Sequence, residues 1–160
     1  MVRISLLPVA LAALLALPAA AQDKQPRTPD QSTRDYVVQA VTELFVQRDV
    51  TAIDRYWAED YRQRNPRFPS GADVIRELFG NLPEAFRYEI GMVIAEDDLV
   101  AIHGRYTGLA PEPTIAVDIF RVEDGLIAEH WDVLQPEVSE TASGLPMFEP
   151  MATGSAGTGQ

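Results

Sequence analysis

Asp118–Gln135, DIFRVEDGLIAEHWDVLQ, is the stretch on which the fold turns. At its start, Val117, Ile119 and Arg121 alternate with Asp118, Phe120 and Val122, the period of two that a strand imposes. Glu123-Asp124-Gly125 supplies turn chemistry, because glycine tolerates the positive φ of a short hairpin. A return strand runs from Leu126 to Gln135, and Pro136 stops it by removing a ladder donor. Asp118, His130 and Asp132 share their parity with apolar neighbours. Carboxylates and an imidazole on a core-facing row are costly unless they are paired or used.

Working outward, the residues before the hairpin are also strand-like. Phe86–Ala95 and Leu99–Thr107 predict two strands joined by a turn at Glu96-Asp97-Asp98. Gly108–Pro113 makes a longer connection. Upstream the period changes to that of a helix. Tyr36, Val37, Ala40, Val41, Leu44 and Phe45 form an apolar stripe behind a cap at Ser32 or Thr33. A short helix from about Asp49 or Thr51 presents Ile53, Tyr56 and Trp57, and Glu59–Pro66 leaves it as a connection. Ala72–Leu82 predicts a third helix, ended by Pro83. Helices first and antiparallel strands afterwards give an α+β domain, its helices packed on one face of a curved sheet.

One hundred and sixty residues suit one such domain, and an apolar fraction of 46% can build its core. Cysteine is absent, which excludes disulfides and thiolate metal sites. A formal charge of -11, with no stripe of Lys and Arg, excludes nucleic acid and anionic membrane surfaces as partners. Arg3, the apolar run Ile4–Leu17 and Ala19-Ala20-Ala21 predict a secretory signal over residues 1–21, cut after Ala21. The expected mature protein is secreted or periplasmic, with no membrane association. Residues 22–31 are expected as a disordered leader, 32–136 as the domain, and 137–160 as a mostly disordered tail from which Met147 and Phe148 dock on the core.

The opposite parity of the hairpin is apolar as well, through Ile115, Val117, Ile119, Ile127, Trp131 and Val133. An antiparallel sheet that is apolar on both faces covers the second one. With no helix left over, a homodimer through that outer face is the expected cover.

Tyr61-x-Gln63-x-Asn65-Pro66, Val100–His103, Asp118–Arg121 and Gly125–Gln135 resemble the SnoaL-like, nuclear-transport-factor-2-like superfamily. The resemblance runs from about Thr33 to Gln135 and is nearest to the predicted aldol-condensation-catalysing SnoaL-like group, in which EHWDVLQ is a characteristic ending. It implies a cone-shaped α+β barrel with a mixed or antiparallel sheet, a deep pocket between sheet and helices, and no metal or other cofactor. Asp118 matches the strand acid that is general acid/base in SnoaL-type polyketide cyclases and an oxyanion-hole donor in ketosteroid isomerases. Asn65 stands where ketosteroid isomerases carry their base, and an amide cannot take a proton. Arg64 replaces the histidine frequent in the nearest group.

The expected catalytic residues are Asp118, assisted by His103 or His130. For Asp118 the alternative is a salt bridge to Arg105 or Arg121, and for His103 a core role. Tyr61, Gln63 and Asn65 are expected to rim the pocket and bond a carbonyl or hydroxyl, or else to stabilise a turn. Phe120, Asp132 and Leu134 complete the expected lining. His103, His130, Asp118 and Asp132 also make up a two-histidine carboxylate set if the strands bring them together. The function expected is an acid–base enzyme acting on a small apolar carbonyl compound by aldol-type cyclisation, isomerisation or lyase chemistry. The alternatives are a non-catalytic small-molecule-binding module of the same fold and a purely dimerising accessory domain.

Overall fold

The computed structural model describes residues 24–151. The signal segment and the end of the tail lie outside them. Ser32 caps α1 (Thr33–Val41), its hydroxyl accepting the Asp35 N–H at 3.0 Å. The helix continues in a wider π turn, Thr42–Val46, which buries Leu44 and Phe45. The short α2 (Ala52–Tyr56) leads straight into β1 (Trp57–Gln63). α3 (Ala72–Gly80) buries Ile75 and Phe79. β2 (Arg87–Glu96), β3 (Leu99–Thr107), β4 (Thr114–Glu123) and β5 (Leu126–Pro136) follow. Asp124 and Gly125 both take positive φ, 49° and 78°, as a two-residue hairpin turn that follows the strand twist requires.

The five strands form one sheet in the order β1-β5-β4-β3-β2, with β1 parallel to β5 and the other pairs antiparallel. The edge strands β1 and β2 do not pair, so the sheet is mixed and open. The expected barrel is thereby corrected. The helices pack on the sheet instead, α1 against β2 and β3 and α3 against β1. The residues expected as a connection after the second helix form β1, whose parallel pairing makes the sheet mixed. WAEDYRQ carries few apolar residues, and its register shifts between Trp57 and Arg62. Neither feature gives a strand its usual alternation.

Two irregularities decide which side chains face inward. Arg121 pairs with Glu129 but Val122 with Ile127, so β5 carries one extra residue at Ala128. The bulge turns Ile127 into the core, fully buried, and removes it from the outer apolar row where alternation alone puts it. On β2, Ile90 pairs with Gly104 and Val93 with Ile102, so Gly91 and Met92 face one residue of β3. The core between helices and sheet is filled by Tyr36, Leu44, Ile53, Trp57, Ile102 and Phe120, among others.

The flanking segments lie along the domain. Lys24 donates to the Trp57 carbonyl at 2.8 Å, and Arg27 N–H donates to the Gly125 carbonyl at 2.7 Å. After β5 the chain folds back. Phe148 is buried, its ring 5.7 Å from that of His103 and beneath the Arg105 guanidinium at 4.9 Å. Met151 N–H reaches the Ile90 carbonyl of edge strand β2 at 2.8 Å. Val117 and Val133 stay exposed on the outer face, at 36% and 67%.

Candidate active site

Adjacent strands bring Asp118 and His130 together on the inner face, because Phe120 pairs with His130 and Asp118 with Asp132. β1 brings Gln63 opposite His130 from the other side. Asp118 is completely buried. Its Oδ2 accepts the Tyr88 hydroxyl at 2.7 Å and its Oδ1 the Tyr106 hydroxyl at 3.0 Å. Gly104 makes the first of these bonds feasible, since a Cβ there would stand 2.3 Å from the Tyr88 oxygen. Burial and then the Asp118 charge push both phenols well above their ordinary 10, so they stay protonated and donate.

The proton on His130 follows from its partners. Asn65 N–H donates to Gln63 Oε1 at 3.0 Å, which identifies the oxygen end of that amide. His130 Nδ1 lies 3.0 Å from the same oxygen and therefore carries a hydrogen. His130 Nε2 then faces Asp118 Oδ1 at 3.3 Å.

A cavity of about 310 Å³ opens beside this pair. Its walls are mainly apolar, with Phe45, Ile75, Leu78, Phe79, Phe86 and Leu134 among them, and its polar lining comes from Tyr61, Gln63, Asn65, Arg67, Tyr106, Thr114, His130 and Asp132. Asn65 Nδ2 donates to Asp132 Oδ2 at 2.6 Å, while no hydrogen bond engages Asp132 Oδ1 among the described residues. Tyr61 accepts from Gln63 Nε2 at 3.4 Å, and its own hydroxyl proton has no acceptor among the described residues. Burial pushes the Tyr61 hydroxyl well above 10, against smaller opposing effects of Trp57 and Gln63, so it remains a donor. The Trp57 indole N–H is buried without a partner in bonding geometry.

The structure therefore redistributes the expected residues. Tyr61, Gln63, Asn65, His130, Asp132 and Leu134 line the cavity, whereas Asp118 and Phe120 lie behind its wall. Asp118 reaches the cavity only through His130 and Tyr106. His103 does not join the set. It pairs with Val117 on the outer face, because Val100, Ile102 and Gly104 form the inward row of β3. The amides of Gln63 and Asn65 are spent on His130 and Asp132 rather than left free for a ligand. Trp57, assigned to the core by its spacing, also lines the cavity, and Tyr88 and Tyr106 escape a reading of motifs. The aromatic residues at those two positions are the available signal, but their meaning depends on the pairing of Tyr88 with Tyr106.

Asp118, His130 and Asp132 each offer one ligand atom, all within 4.8 Å of one another. They could hold a cation, which would share the Asp118 oxygens with Tyr88 and Tyr106. The fourth member of the expected metal set, His103, is on the wrong face.

An open α+β sheet with a buried carboxylate–imidazole pair beside an apolar cavity defines a small-molecule-pocket protein. Residues 38–130, more than half of the chain, match the SnoaL-like domain family, and the chain belongs to that family. Solved structures share the fold. An NTF2-like protein of unknown function from Cytophaga hutchinsonii superposes with a TM-score of 0.59 at 17% identity, covering 68% of this chain and 96% of that one. A candidate ketosteroid isomerase from Kribbella flavida gives 0.57 at 21%, covering 68% and 81%. A candidate polyketide cyclase from Acidithiobacillus ferrooxidans gives 0.55 at 15%, covering 68% and 91%. No curated protein matches the sequence.

Proposed function

We propose that this protein catalyses proton transfer next to the carbonyl group of a small, largely apolar compound. One observation carries the reading: a carboxylate oxygen of Asp132 and the hydroxyl proton of Tyr61 are both unengaged within the described residues, on the wall of one apolar cavity. Asp132 takes a proton from the carbon beside the carbonyl. The C–H electron pair moves into the carbon–carbon bond, and the carbonyl oxygen becomes an enolate oxygen held by the Tyr61 hydroxyl. Return of the proton to a different carbon is isomerisation. Attack of the enolate on a second carbonyl is an aldol step, the chemistry of the group nearest in sequence motifs. Asn65 positions Asp132, and Gln63 positions His130 and Tyr61. Asp118 is a positioning residue that holds His130. Export directed by residues 1–21 and pairing of two chains over Val117 and Val133 belong to the same proposal, testable by fractionation of the native host and by sedimentation.

The test is deuterium incorporation from heavy water into benzylacetone, followed by NMR. Wild type should accelerate exchange beside the ketone, and Asp132→Ala should lose roughly 10²–10⁴ of that rate. Tyr61→Phe should also slow it. Exchange no faster than in buffer, or unaffected by loss of Asp132, overturns catalysis and leaves a non-catalytic binding module.

A further inference from the structure

The charge distribution around the cavity points to the chemical class of its occupant. Every Lys and Arg side chain among the described residues has a partner, with one exception. Lys24, Arg27, Arg48 and Arg87 donate to backbone carbonyls. The remaining arginines pair with carboxylates, as Arg55 does with Glu43 and Arg76 with Asp54. The exception is Arg67. Its guanidinium makes no hydrogen bond or ion pair among the described residues, and it lines the cavity. In a chain with 24 acids and 13 bases, leaving this one cation unclaimed runs against the overall balance.

Its root is fixed, although its side chain is exposed. Arg67 N–H donates to Asn65 Oδ1 at 2.8 Å, and Phe68 N–H to the Asn65 carbonyl at 3.3 Å. The same Asn65 holds Asp132 at 2.6 Å. One buried amide therefore sets both the base on the cavity wall and the origin of the cation. Phe68, Leu109 and Ala110 are among the apolar lining residues, and Asp132 is the only carboxylate among the described residues that line the cavity.

We infer that the occupant is a keto acid: an apolar body with its carbonyl at Tyr61 and Asp132, and a carboxylate that pairs with Arg67. This deepens the proton-transfer reading and rests on it for the placement of the carbonyl. A planar guanidinium grips a carboxylate through two parallel hydrogen bonds, which fixes direction as well as affinity. Binding energy gained at that remote end holds the reacting carbon in place at the base. The overall negative charge repels anions generally, so the preference must come from Arg67 locally.

The experiment compares benzoylpropionate with its methyl ester, titrated into the full-length protein and read through the Trp57 indole N–H and Arg67 side-chain resonances. Wild type should bind the acid about tenfold more tightly than the ester, the value of one charge-assisted pair. Arg67→Ala should bring the ratio close to one by weakening the acid alone, and Arg67→Lys should keep part of the preference. Equal binding of acid and ester by wild type overturns the assignment, as does a ratio that survives Arg67→Ala. Binding of neither compound overturns it too. Acid-selective binding without deuterium incorporation at the methylene beside the ketone upholds the role of Arg67 and removes catalysis. Equal incorporation into acid and ester does the opposite.

Discussion

The two faces of the sheet treat buried carboxylates in opposite ways. On the inner face Asp118 is met by the hydroxyls of Tyr88 and Tyr106 and by the His130 imidazole. On the outer face Glu129, only 5% exposed, is met by cations, Arg62, Arg64 and Arg121. Burial alone would raise the Glu129 carboxyl, but hydrogen bonds from Arg62 and Arg64 outweigh it and hold the group below its ordinary 4.5. Cations favour the charged form of the outer carboxylate. The inner carboxylate is held by hydroxyl donors and an imidazole beside a cavity, and that difference separates the two faces.

The comparison breaks most visibly at Asp118. Asp118→Ala leaves two buried phenols and an imidazole without their common acceptor, and should cost about 3–5 kcal/mol in urea unfolding. Gly104→Ala should follow at about 1–3 kcal/mol, because the added methyl displaces the Tyr88 hydroxyl. Its diagnostic is a change in the Tyr88 side-chain resonances with the Glu129 cluster undisturbed. The outer face is sharpened by pH. A carboxyl lowered on folding contributes stability that is present above the unfolded value, near 4.5, and is lost as pH falls through the folded value. The stability gap between wild type and Glu129→Gln should therefore be full at neutral pH and close progressively below about 4.5. The smallest effect belongs to His103→Ala, which removes only a ring contact with Phe148 and should stay within about 1 kcal/mol. A loss as large as that of Asp118→Ala would return His103 to the inner network.

How far the sequence carried these conclusions varies along the chain. In β4 and β5 the alternation is clean enough to place Asp118, His130 and Asp132 on one row before any coordinates. β3 reads LVAIHGRYT, apolar on both parities, and its true inward row includes Gly104, which carries no hydrophobic signal. His103 is consequently assigned to the pocket by sequence and to the outer face by structure. β1 was hidden for a related reason: its inward residues Trp57 and Tyr61 are separated by charged ones, and its partner β5 lies more than sixty residues away in the chain. Family motifs pointed to Tyr61, Gln63, Asn65, His130 and Asp132, which line the cavity, and equally to Asp118, Phe120 and His103, which do not. Only hydrogen-bond geometry shows that Gln63 and Asn65 serve their neighbours while Tyr61 and Asp132 remain available.

The bond from Met151 to Ile90 has a consequence for how molecules of this kind avoid one another. Because the sheet does not close, β2 offers a free edge, and exposed Met92 and Ile94 make that edge adhesive. Open edges of this sort template strand addition between molecules. By returning to claim the Ile90 carbonyl, the chain's own C-terminal segment competes with any incoming strand. Shortening the protein before Phe148 should expose this edge, and the expected first sign is light scattering.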